Sequence, residues 1–243
     1  ALTQYAEQQI SGFSAEQIIG LTCATTGSTL IPVDESFQAL GLLEKENLNA
    51  QAWLWKDHTS YNEAELITQT AKKMRPHYLE RCGGTYSSEW FWAKILRLKN
   101  IDPQTFAKSY SFVELCDFLP GILAGIDHPK DLIRSICAAG HKAMYADEWG
   151  GLPDKEFLEQ LDPALADLRE RLYTSAVASD QIAGYVCREW AQRTGLAVGT
   201  PIAVGAFDAH MGAVGSGIKE GTLVKIVGTS TCDLMISKND QAI

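Results

Sequence analysis

The chain has 243 residues, 46% hydrophobic and 21% charged, enough to bury a real core and between one large domain and two small ones in size. Its 21 Lys and Arg against 30 Asp and Glu give a formal charge of −9 with no basic cluster to offset it, which excludes nucleic acid as an expected partner. The longest apolar run near the start, residues 18–23, is far too short to span a bilayer, and the first residues lack a signal-peptide layout, so no membrane association and a cytoplasmic location are expected.

In chain order, residues 15–22 predict a short strand entering a small-residue loop at 23–29, and 30–33 resume extended structure before the turn-like Asp34. Residues 52–55 have the length of a buried strand that delivers Lys56, Asp57 and His58 at its carboxyl end, where polar residues often face a cleft. From Tyr61 to about Val177 the pattern is helical, with Ala64, Ile67, Ala71 and Met74 on one face and Trp90, Ala93 and Leu96 on another, and with Pro120 and Pro129 as punctuation. Gly140 is expected to end a helix in front of His141 and Lys142, further helices are expected at 158–172 and 182–194, and Gly195 fits a C-cap. Residues 200–206 then read as a strand with Asp208 just past it, followed by a small-residue helix and a probable hairpin around 228–232. A domain boundary is expected near Thr200. The six cysteines stand singly among apolar neighbours, without metal-ligand spacing, and are read as reduced core residues.

Several chemistries lack support. Nothing matches G-x-x-x-x-G-K-[ST], no complete G-x-G-x-x-G follows a strand, and no G-x-S-x-G elbow is present. The informative constellation is GAFDAHMGAVG at 205–215 followed by KIVGTSTC at 225–232, an acid at a strand exit ahead of a glycine and hydroxyl turn. A helix N-terminus favours a carboxylate anion, which can accept a proton from a substrate hydroxyl, and Gly228, Thr229 and Ser230 on a tight turn can offer donors to phosphate oxygens. From spacing alone, Asp208 as an ordinary N-cap and Gly228-Thr229 as an ordinary hairpin turn compete evenly with these roles.

These segments, with WKDHT at 55–59, YSSEWFWAK at 86–94, AGHKA at 139–143 and EWGGLP at 148–153, resemble the FGGY family of carbohydrate kinases over nearly the whole chain. The resemblance implies an α/β fold of the actin and hexokinase-like ATPase (ribonuclease H-like) type. Residues 1–199 would form most of a sugar-binding domain and 200–243 the start of a nucleotide-binding domain. Both ends look cut from a longer polypeptide, so an exposed apolar surface is expected where the rest would dock, and the isolated chain is expected to be inactive.

By the same resemblance, ATP and Mg2+ are the expected cofactors. The reaction would be phosphorylation of L-ribulose at its C5 hydroxyl, as in L-arabinose catabolism. Another pentulose or polyol kinase of the family, or a non-catalytic actin-like module, is the alternative. Asp208 would be the base, Lys142 would hydrogen-bond sugar oxygens, and the Thr26-Gly27-Ser28 loop would line the sugar pocket. Trp55 and Asp57 are candidate sugar contacts, Gly228, Thr229 and Ser230 would meet the nucleotide phosphates, and no metal-ligating residue is expected. A homodimer is compatible with the family. One departure stands out: Ala24 occupies a loop position where relatives of this segment usually carry Asp.

Overall fold

The computed structural model describes residues 2–228 and 230–238. Its eight strands pair two by two rather than in one wide sheet. Strand β1 (Ala24–Thr25) runs parallel to β6 (Ala206–Phe207), while β2 (Leu30–Val33) and β3 (Ser111–Glu114) are antiparallel with Leu30 opposite Glu114. Antiparallel pairs also join β4 (Ile182–Tyr185) to β5 (Pro201–Ala203), and β7 (Leu223–Val227) to β8 (Thr231–Met235).

The largest core lies in the helical middle of the chain. Helix Tyr61–Met74 turns Ala64, Ile67 and Ala71 inward at helical spacing, against helix Phe91–Ile101, whose Trp92, Ile95 and Leu98 are buried. Helices Lys155–Leu161 and Pro163–Arg169 close this core with Phe157, Leu158 and Leu165; the break between them is Asp162, whose side chain caps the second at Ala164 N–H. Beneath the site a smaller cluster of Cys116, Ala138 and Phe207 joins three separate stretches of chain.

Several expectations changed on folding. Residues 15–17 form a 3-10 turn rather than the start of a strand, because Ser14 and Gln17 make a reciprocal capping box. Within the stretch read as wholly helical, Ser111–Glu114 is a strand whose four residues are all buried, a run too short for periodicity alone to separate from helix. Residues 182–185 pair as β4, and helix begins only at Arg188, ending at Gly195 in the left-handed conformation expected of a C-cap. His141 and Lys142 lie inside helix Ile136–Lys142, not after it. Among the described residues no helix is long and apolar enough to cross a membrane.

Candidate active site

One cavity of about 560 Å³ gathers residues from six separated stretches: Gly27, Trp55, Glu89, Lys142, Asp208 and the Gly228/Ser230 turn. The parallel β1–β6 pair brings two of these together from far apart in sequence, since Thr25 pairs with Phe207 and thereby sets the Gly27 loop beside Asp208. The fit is close. A Cβ on Gly27 would fall 2.0 Å from the Phe207 ring, and a Cβ on Gly205 would fall 2.1 Å from the Cys116 carbonyl, so both approaches require glycine.

Asp208 is the first residue of helix Asp208–Gly215 and exposed to the cavity; its Oδ1 accepts from the Ala209 N–H at 2.8 Å. Lys142 is positioned through its backbone: the Tyr86 hydroxyl donates to the Lys142 carbonyl, and Trp92 Nε1 donates to the Ala143 carbonyl at 2.8 Å. Its ammonium lies 5.1 Å from the Trp90 ring centre and 5.7 Å from that of Phe207, and among the described residues nothing accepts a hydrogen bond from it. Burial lowers its pKa, against the opposing pull of Glu114 and Glu89. A cation with free donors at the mouth of a half-apolar cavity suits a hydroxyl-rich ligand.

Trp55 lines the cavity and is half-buried. Asp57 does not line it: its Oδ1 accepts from both the N–H and the hydroxyl of Thr59, at 2.9 and 2.7 Å, closing an Asx turn that points the carboxylate along its own loop. Gly228 and Ser230 lie at the cavity rim, with the Gly228 N–H already given to the Ser230 carbonyl at 2.9 Å; Thr229 lies outside the described residues. The Ser230 hydroxyl, unpartnered among the described residues, is one donor this turn can offer a phosphate oxygen. Ala24 is exposed on β1 opposite Ala206. His141 and His210 meet edge to face at 4.3 Å, tying the Lys142 helix to the Asp208 helix. Desolvation, then His210 and Lys142, hold His141 down to about 4, and burial lowers His210 as well.

Behind the Gly27 loop lies a layer containing Glu114 and Lys94, which the sequence reading missed, and Ser28, which was expected to line the pocket but is turned away from it. Ser28 is buried and its hydroxyl donates to the buried carboxylate of Glu114; Lys94, 1% exposed, donates to backbone carbonyls on either side. Burial raises the Glu114 pKa, against Ser28, Lys94 and Lys142. The only signal for it in the sequence is that Glu114 closes an otherwise uncharged strand and Lys94 interrupts an apolar helix face.

The chain matches the FGGY family of carbohydrate kinases, N-terminal domain, over residues 1–215, and belongs to that family. The fold is the actin and hexokinase-like ATPase type found in FGGY sugar kinases: xylulose kinases from Bifidobacterium adolescentis (TM-score 0.72, 18% identity, 96% of this chain and 49% of that one) and Rhodospirillum rubrum (0.69, 17%, 93% and 42%) superpose on it. In sequence it is similar to a ribulokinase from Vibrio parahaemolyticus, 48% identical over 91% of this chain, and to one from Shouchella clausii, 35% identical over 97%. The chain spans 40% and 42% of the lengths of these two relatives.

Proposed function

We propose that this chain supplies the sugar side of an ATP-dependent kinase that phosphorylates L-ribulose at its C5 hydroxyl, giving L-ribulose 5-phosphate, a step of L-arabinose catabolism in the cytoplasm. The observation that carries the reading is the convergence of Gly27, Trp55, Lys142 and Asp208 on one cavity with the Gly228/Ser230 turn at its rim. Similarity to ribulokinases supports the choice of sugar.

In this reading Lys142 donates to sugar oxygens, Trp55 forms an apolar wall, and the Gly27 backbone lets the sugar approach closely. Asp208 takes the proton as the C5 O–H bond breaks and the oxygen forms its bond to phosphorus, and ADP leaves with the electrons of the broken O–P bond. ATP supplies the phosphoryl group, and Mg2+ offsets its negative charge. Among the described residues there is no cluster of three or more His, Cys, Asp or Glu that could hold a metal. The turn at Gly228, Thr229 and Ser230 meets the phosphates, so residues 200–243 begin the nucleotide side and 1–199 form the sugar side.

The test is ADP release by the protein in its natural full length over a panel of pentuloses and polyols, beside Asp208→Asn. L-Ribulose-dependent release that falls on the order of 10²- to 10⁴-fold in the variant is expected. Stimulation by no sugar overturns the reading, and near-normal turnover in the variant removes Asp208 from the role.

A further inference from the structure

Gly27 and Trp55 stand on two loops separated in sequence, yet both border the same cavity. Leu30 and Trp53 exchange backbone hydrogen bonds at 3.0 and 2.8 Å, and nearer the cavity an ammonium group bridges the two loops. Lys94, on helix Phe91–Ile101, sends its Nζ to the Ser28 carbonyl at 2.8 Å, to the Leu54 carbonyl at 2.8 Å and to the Trp53 carbonyl at 3.3 Å. An ammonium has three donors and no acceptor, so all three are used, one on the residue after Gly27 and two on the residues before Trp55.

We propose that Lys94 is a positioning residue for the sugar pocket: its ammonium sets the spacing between the Gly27 loop and Trp55, and so the width of the cavity that the sugar must fit. The inference rests on the kinase reading above and adds to it a residue that touches no substrate.

Three features carry it beyond ordinary packing. Lys94 is 1% exposed, and an ammonium is costly to bury unless it does something an apolar side chain cannot. Its partners are carbonyls, which keep the charge free to hold both loops instead of pairing it with one acid; charge-assisted hydrogen bonds of this kind are about twice as strong as neutral ones. The loop is also gripped from its other side, where the Ser28 hydroxyl donates to Glu114 on β3 while the second carboxylate oxygen, Oε2, is buried without a partner among the described residues. Without Lys94 nothing joins the pocket ends of the two loops nearer the cavity than the Leu30–Trp53 backbone pair, whose hydrogen bonds are 3.0 and 2.8 Å, and the Ser28 carbonyl loses its hold on the Trp55 side.

The experiment compares wild type with Lys94→Met, a substitution of similar length without donors, in the natural full-length protein. KM for L-ribulose, KM for ATP and kcat are measured, with backbone hydrogen exchange in the absence of ligands. Displacing a pocket wall by an ångström predicts a rise in the sugar KM on the order of 10- to 100-fold while the ATP KM holds, and faster exchange at residues 26–30 and 53–57 together. Loss of folded protein alone would lower kcat and leave the sugar KM where it was, and that result overturns the proposal. So does exchange that rises at neither loop. If Lys94→Met does not fold, Lys94→Arg serves, because its broader guanidinium forces the two loops apart and must produce the same split. If the wild type shows no sugar-stimulated ADP release, the kinase reading fails, and exchange at the two loops still decides the role of Lys94.

Discussion

Beneath Gly27 the cavity wall rests on groups withdrawn from water: Ser28, Lys94 and Glu114 are all buried and joined through hydrogen bonds to the loop. Across the cavity the β7–β8 hairpin is built the opposite way. Of its strand residues only Val224 is buried, while Leu223, Val227 and Met235 are exposed, as is Val214 on the neighbouring helix. A wall locked by buried polar contacts keeps one shape, because every displaced group would lose a partner it cannot replace with water. A hairpin held by one buried side chain and cross-strand pairs has little to resist motion, and its bare apolar face is of the kind that marks a docking surface. The Gly27 wall of the cavity is therefore preorganised and the hairpin wall adaptable.

The sharpest way to break this contrast is at Gly27. Gly27→Ala puts a methyl group into the Phe207 ring, which is itself buried beside Asp208, so something in the locked wall must shift. The expected cost is about 1–3 kcal/mol in urea denaturation, together with weakened ligand binding in the cavity. An equally stable variant with normal binding would show that this wall yields as readily as the hairpin.

A second measurement titrates the locked wall. Burial holds Lys94 down to about 8, whereas an unfolded lysine titrates near ~10.4. Between those values the unfolded chain carries the extra proton, so stability rises with pH through this group; the destabilisation is fully present below about 8 and gone above about 10.4. The gain across the window should be on the order of 2–3 kcal/mol, seen as a higher urea midpoint at about pH 10 than at about pH 7.5, and Lys94→Met should flatten that rise. A slope identical in the variant would assign the effect to another group.

The smallest effect is expected on the hairpin. Lys225 Nζ and Asp233 Oδ2 sit 2.6 Å apart across β7 and β8, but their side chains are 54% and 48% exposed. Lys225→Ala should cost only about 0.2–1 kcal/mol, and less in high salt. A larger loss would mean the hairpin is held more firmly than its burial indicates.

Much of the site could be read from local chemistry. Asp208 at a strand exit, the glycine and hydroxyl turn between two strands, and Gly195 closing its helix all follow from rules that act within a few residues, and the structure has each where those rules put it. Trp55 and Lys142 were singled out only because their surrounding motifs resemble a family. Other features were not legible. Asp57 had the composition of a cleft residue, but its short link to Thr59 satisfied the carboxylate before the cleft could. Residues 182–185 had a helix-compatible pattern until pairing with β5 made them a strand.

What the sequence alone determined is what neighbours along the chain decide: an acidic composition, a helical middle, caps and turns, and the motifs that mark the FGGY family. Only the tertiary structure decided that the loops of Gly27 and Trp55 share one buried ammonium, that Phe207 closes on Gly27, and that two histidines tie the Lys142 helix to the Asp208 helix. Those contacts join residues far apart in sequence. Their existence depends on close packing and on pairing every polar group taken from water, neither of which leaves a periodic trace in the chain.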